Sequence, residues 1–158
     1  MTARQQFEEF LRKYDPAVAA EAKKSLARLR KLIPHAVEMV YDNYNFLVIG
    51  FCPGVRPSEA IVSVAVTPRW VSLCFLQAKG LPDPEKRLEG SGSVARHIKM
   101  KSGAVTLDEP GVRTLIAEAL KRAKVPIPAG QKRQFIIKSV SAKQRPRRPG
   151  AKKTKRAK

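Results

Sequence analysis

Between Val37 and Leu76 the chain passes through four apolar runs separated by three breaks. The runs are VEMVY, FLVIGF, AIVSVAV and WVSLCFL; the breaks are the Asn, Gly and Pro clusters at Asp42 to Asn45, Pro53 to Ser58 and Thr67-Pro68. Apolar runs of this length bounded by turn residues read as strands joined by hairpins, so a meander of antiparallel strands is expected. In the third run Val62, Val64 and Val66 alternate with Ile61, Ser63 and Ala65, the pattern of a sheet with helices over one face.

Helical periodicity brackets this block. Phe7, Phe10, Leu11 and Tyr14 fall at i, i+3, i+4 and i+7, one apolar stripe on a short helix. Asp15-Pro16 then starts a second helix, with Asp15 as the expected N-cap and Pro34 as the stop. Its inward face reads Val18, Ala22, Leu26, Leu29 and Ile33. Lys24, Arg28 and Lys31, with Lys23 and Arg30 beside them, form a basic stripe expected to be solvated. After a long connection from Ala78 to Arg96 and a short strand at His97 to Lys101, Asp108 is the expected cap of a closing helix. That helix has Val112, Leu115, Ile116, Ala119, Leu120 and Ala123 on its apolar face and ends near Lys124. Phe135 to Val140 supplies a last strand. The expected fold is α+β: an antiparallel sheet of five to six strands packed against N-terminal and C-terminal helices.

Charge divides the chain at Val140. Residues 141 to 158 hold Lys143, Arg145, Arg147, Arg148, Lys152, Lys153, Lys155, Arg156 and Lys158 and no acid, while residues 1 to 140 hold 23 basic against 13 acidic residues. Lacking large apolar side chains, the terminal stretch has nothing with which to build a core, so it is expected to be a disordered basic tail on a single domain of residues 1 to 140. Both parts are basic, which makes DNA, RNA or another polyanion the expected partner. If all nine tail cations met duplex phosphates, the log–log salt slope would approach about −8. The Pro and Arg spacing of Arg145 to Pro149 suits an extended arm tracking a phosphate backbone, with little base readout. Lys121, Arg122, Lys124, Lys132 and Arg133 are expected to extend this basic density toward the arm.

Other classes fit poorly. Cys52 and Cys74 have no zinc spacing and lie in apolar runs, as buried free thiols would. No apolar stretch of the ~18 residues that a membrane span requires is present, and the mixed-charge start is unlike a secretory leader. A cytoplasmic protein without membrane attachment is expected. His35 and His97 form no HExxH pattern, no GxSxG elbow is present, and the acids Asp83, Glu85 and Glu89 sit in the long connection near Lys86 and Arg87. Neither a catalytic residue, a metal site nor a cofactor is expected.

One further segment carries chemistry. In LEGSGSVARHIKM, Gly90, Ser91, Gly92 and Ser93 can either form a plain turn or converge their N–H groups into an anion nest completed by Arg96 and His97, with Glu89 at its edge. It matches neither GK[ST] nor GxGxxG. Among the aromatics, most belong to core runs, whereas Tyr44 and Trp70 fall at strand ends where bases could stack.

The order of elements, together with Gly80-Leu81, Asp83-Pro84, Leu88-Glu89-Gly90, Gly92 and Arg96-His97-Ile98, resembles the YdhG-like domain of unknown function over most of Phe7 to Ala123. That resemblance implies a compact α+β fold, sometimes grouped with frataxin-like folds, and a family without an established reaction. Some relatives carry the label of iron chaperone, which implies a carboxylate-rich surface. Here the helix from Pro16 to Ile33 holds a single acid, Glu21, among five basic residues, and the family's Pro-aromatic turn is replaced by Asp42-Asn43-Tyr44-Asn45-Phe46. The expectation is therefore a non-enzymatic binding domain with a basic arm. A small-molecule or metal-handling domain built on residues 89 to 97 is the alternative.

Overall fold

The computed structural model describes residues 1–150. Helix α1 (Ala3–Arg12) opens on a capping box: Thr2 Oγ1 accepts from the Gln5 N–H at 3.1 Å and the Thr2 N–H donates to Gln5 Oε1 at 2.7 Å. Phe7, Phe10 and Leu11 turn inward, followed by Tyr14. Helix α2 (Pro16–Leu32) starts with proline in its first turn, as expected. Asp15, however, makes no capping bond; its carboxylate lies 3.5 Å from Arg148.

Strands β1 (Val37–Asp42), β2 (Leu47–Cys52), β3 (Val62–Val66), β4 (Val71–Phe75) and β5 (Arg96–Met100) form an antiparallel meander. After helix α3 (Pro110–Arg122), strand β6 (Gln134–Val140) lies beside β1 and parallel to it. The six-stranded order is β5-β4-β3-β2-β1-β6. A parallel neighbour requires a long crossover, which the segment containing α3 provides. Five strands thus follow the expected antiparallel pattern and the sixth departs from it.

Pairing aligns Val40, Ile49, Val64, Leu73 and Ile98 across the face toward the helices. These join Leu26, Leu29, Val112 and Ile116 in one core. The other face is not simply solvated. Ser63, Ala65 and Ser72 are buried there, beside a smaller cluster of Val37, Met39, Cys52 and Ala60.

Asp108 does not cap α3. It ends a 3₁₀ segment, Gly103–Asp108, and Glu109 precedes the helix; the Asp108 carboxylate instead accepts from Arg28 at 3.2 Å and Arg113 at 3.5 Å. Gly103 is required at its position. It has φ +84°, and a Cβ would stand 2.4 Å from Glu21 Oε1, which accepts the Ala104 N–H at 2.8 Å.

Strand register gives the sheet two distinct ends. Asp42, Leu47, Val66, Val71, Met100 and Val140 lie together at one, and Glu38, Phe51, Val62, Phe75 and Arg96 at the other. The first, the arm end, gathers the turns at 43–46 and 67–70, the segment after Met100 and the exit of β6. The second, the glycine-loop end, gathers the connections at 53–61 and 76–95.

The expectation of a disordered tail from Ser141 onward needs correction over its first ten residues. The Ser141 N–H donates to Asp42 O at 2.8 Å, Gln144 Nε2 donates to the same oxygen at 3.0 Å, and the Arg145 N–H donates to Tyr44 O at 2.8 Å. Arg147 is only 5% exposed. Its guanidinium meets the buried Asp42 carboxylate at 2.9 Å and also donates to the Asn43 and Tyr44 carbonyls. The physical cause is Asp42 itself: a carboxylate buried at the end of an apolar strand is stable only with a partner, and this arm supplies one. Lys152, Lys153, Lys155, Arg156 and Lys158 lie outside the described residues.

Candidate nucleic-acid interface

At the arm end the β1–β2 turn presents Tyr44 and Phe46, 49% and 40% exposed. Arg145 stacks over the Tyr44 ring at 5.6 Å. The β3–β4 turn is tied by Thr67, whose hydroxyl donates to Trp70 O at 2.7 Å and accepts from the Trp70 N–H at 3.1 Å. This holds Trp70 half-buried at the strand start. Antiparallel pairing of β4 with β5 then brings Lys99 and Lys101 over its ring, at 5.1 and 5.6 Å from the centroid. Exposed Arg69 stands in the same turn.

The chain's first helical junction braces this end. Tyr14 is buried, donates its hydroxyl to Val66 O at 2.9 Å and accepts the Leu47 N–H at 3.2 Å, so it ties the second and third strands at their shared end. Burial raises the pKa of its phenol above the ordinary tyrosine value, with the Arg147 charge and the Leu47 N–H opposing and the Asp42 charge pushing the same way. Beside it, Lys13 contacts Asp42 at 3.5 Å and Gln144 at 3.0 Å, while Arg148 donates to the carbonyls of Lys13 and Arg12.

The arm's cations therefore divide by task. Arg147 is consumed internally and Arg148 is partly engaged with Asp15. Lys143 and Arg145 remain exposed, next to Tyr44 in the case of Arg145. Tyr44 and Trp70, flagged by sequence as strand-end aromatics, each have basic side chains against the ring.

Several expected basic features lie elsewhere. The α2 stripe is largely matched by acids: Lys23 with Glu8 at 2.7 Å, Arg28 with Asp108 at 3.2 Å, and Arg30 with buried Glu38 through two oxygens. Lys24 stands 3.8 Å from Glu21. Lys121, Arg122, Lys124, Lys132 and Arg133 do not continue toward the arm. Arg122 donates to Gly80 O at 2.8 Å, and Lys132 and Arg133 precede the start of β6, which places this group toward the opposite end.

The glycine loop is also at that opposite end. Glu89 and His97 pair through two backbone bonds of 2.8 and 2.9 Å, so residues 90–96 form the tip of a narrow hairpin. Gly90 has φ +118°, and Gly90, Ser91, Gly92 and Ser93 are exposed. The Arg96 guanidinium folds back onto the carbonyls of Gly92 and Ala95, and Val94 O accepts from the Ala78 N–H at 2.7 Å. Arg96 is thus used to satisfy loop carbonyls. His97 is half-buried on β5 with Cys74 as its neighbour on β4. The acids of the connection work locally too: Asp83 accepts from the Arg87 and Leu88 N–H groups, and Arg87 pairs with Glu109.

Among the described residues no group of three or more His, Cys, Asp or Glu side chains could hold a metal ion, and no helix is long and apolar enough to cross a membrane. Cys52 and Cys74 are free thiols. Burial pushes Cys52 up to about 11, with Glu59 adding to the effect, and Cys74 is raised by burial as well. No family model, curated protein or solved structure matches the chain.

Proposed function

We propose that this chain is a non-enzymatic, YdhG-like binding domain that attaches to nucleic acid through the arm end of its sheet. The observation that carries this reading is the convergence of exposed and half-buried aromatics and cations from four separate segments. Tyr44 and Phe46, Arg69 and Trp70, Lys99 and Lys101, and Lys143 and Arg145 meet at one end of the fold. Aromatic faces among cations suit bases and phosphates together, whereas a surface kept basic only for solubility needs no aromatics. The net charge of +19 adds long-range attraction for a polyanion. A cytoplasmic setting is part of the proposal, since both cysteines are thiols.

The rival reading, a small-molecule or metal-handling loop at Glu89 to His97, has less support. Arg96 faces carbonyl oxygens of its own loop, so an incoming anion would have to compete for it.

Fluorescence anisotropy of labelled oligonucleotides, titrated with the full chain across salt, tests the proposal. A linear log–log dependence is expected, with a slope of about −0.7 per phosphate contacted on a single strand. A chain ending at Gly150 lacks five cations and should be shallower by as much as about 3.5. Absence of binding near 150 mM salt, on the order of physiological ionic strength, would refute the reading.

A further inference from the structure

Beside Trp70 a cleft of about 180 Å³ opens between the β3–β4 turn, the segment after β5 and the first turns of α2. Val18 supplies an apolar wall, Arg69 and Lys101 stand at its margin, and Glu21 is the acid among its lining residues. Pockets that enclose drug-sized ligands run to about 300–1,000 Å³, so this cleft suits a single base more than a whole metabolite.

The charges discriminate between the parts of a nucleotide. Glu21 Oε1 is held by the Ala104 N–H at 2.8 Å, and Oε2 lies 3.8 Å from Lys24. Gly103 leaves the space that allows this carboxylate to sit so close to the backbone. An ionised carboxylate repels phosphate but accepts hydrogen bonds from the amino groups of bases. Arg69 and Lys101 offer the opposite preference at the rim. An indole supplies a stacking surface, and its use requires a base whose face is not already covered by neighbours in a duplex.

We infer that this cleft is a base-binding subsite for single-stranded nucleic acid, in which Trp70 stacks on the base, the outer oxygen of Glu21 accepts from its amino group, and Arg69 and Lys101 contact the flanking phosphates. The inference rests on the nucleic-acid reading above and specifies its substrate class. Tyr44 is a second platform, two strand spacings away, about 10 Å across the sheet. Stacked nucleotides rise about 3.4 Å each, so a strand touching both rings spans roughly three stacked nucleotides.

Trp70 is the chain's sole tryptophan, so its fluorescence reports directly on the cleft. The full chain would be titrated with 12-nucleotide oligo(dC), oligo(dA) and oligo(dT) and with a 12-base-pair duplex, following tryptophan emission and, in parallel, anisotropy of the labelled nucleic acid. Single strands should bind and quench, with oligo(dC) and oligo(dA) ahead of oligo(dT), while the duplex binds without quenching. Trp70→Ala should weaken single-strand binding about five- to a hundredfold and spare the duplex. Glu21→Gln keeps an oxygen for Ala104 and should erase the base preference. Binding without quenching, or equal quenching by the duplex, would overturn the cleft assignment and leave polyanion binding standing. An unchanged base preference in Glu21→Gln would overturn the part assigned to the carboxylate. Failure of every nucleic acid to bind would overturn both.

Discussion

Strand β1 buries an acid near each end, and the two are neutralised in different ways. Glu38, toward the glycine-loop end, accepts three hydrogen bonds from Arg30 of α2, only eight residues away in sequence. Asp42, at the arm end, receives Arg147 from 105 residues away, with Lys13 as a weaker second partner at 3.5 Å. The buried acid of the glycine-loop end is neutralised from a helix, whereas that of the arm end is neutralised by a segment that also carries exposed cations. One stretch of chain therefore both completes the fold and presents charge to a partner. A truncation after Val140 would confound the two, because it removes binding groups and uncovers Asp42 together.

Removing Arg147 should have the largest effect. Among the described residues Arg147→Ala leaves the buried carboxylate with the half-exposed Lys13 as its remaining cation, and loss of one partner of a buried pair costs about 3–5 kcal/mol. Urea unfolding of this variant beside Arg30→Ala tests whether the arm is as integral as a helix. Comparable losses are expected, and a loss under about 1 kcal/mol for Arg147→Ala would show that the arm is dispensable to the fold.

Alkaline pH probes the opposite end through Cys52. Its folded-state value of about 11 stands above the ordinary 9.0, so the stabilisation is complete below pH 9 and is lost as pH rises toward 11. The loss amounts to about 1.4 kcal/mol per pH unit across that window. Tyr14, Tyr41 and Cys74 are shifted in the same direction. Unfolding measured at pH 8 and pH 11 should therefore show a smaller drop in Cys52→Ala than in the parent, and equal drops would contradict the assignment.

The smallest effect is expected at the glycine loop. Gly90→Ala forces a side chain into a φ of +118°, a strain of about 1–3 kcal/mol, yet it lies at the end of the sheet away from the arm. Oligonucleotide affinity should stay within about twofold. A tenfold loss would move the binding site toward residues 89–97.

What the sequence made legible was local. Hairpin turns, the apolar faces of three helices and Tyr44 and Trp70 at strand ends depend on nearby residues and were read correctly. The Thr2 to Gln5 capping box is equally legible from its spacing. The parallel position of β6 was not readable, since it depends on which sheet edge is left open after five strands. Nor was the seating of Arg147. Its Pro- and Lys-rich surroundings have the composition of a disordered segment, and the only clue was Asp42 ending an apolar strand, an acid that would need a distant partner if buried. The cations around Trp70 escaped notice for a similar reason: Lys99 and Lys101 reach the ring through β4–β5 pairing across a connection of about twenty residues.

Amide chemical-shift mapping of the full chain with a single-stranded oligonucleotide tests the central claim most directly. Perturbations should concentrate at Asn43 to Phe46, Thr67 to Trp70, Lys99 to Gly103 and Lys143 to Arg145, with Glu89 to His97 quiet. Shifts centred on Glu89 to His97 with an unperturbed arm end would contradict it.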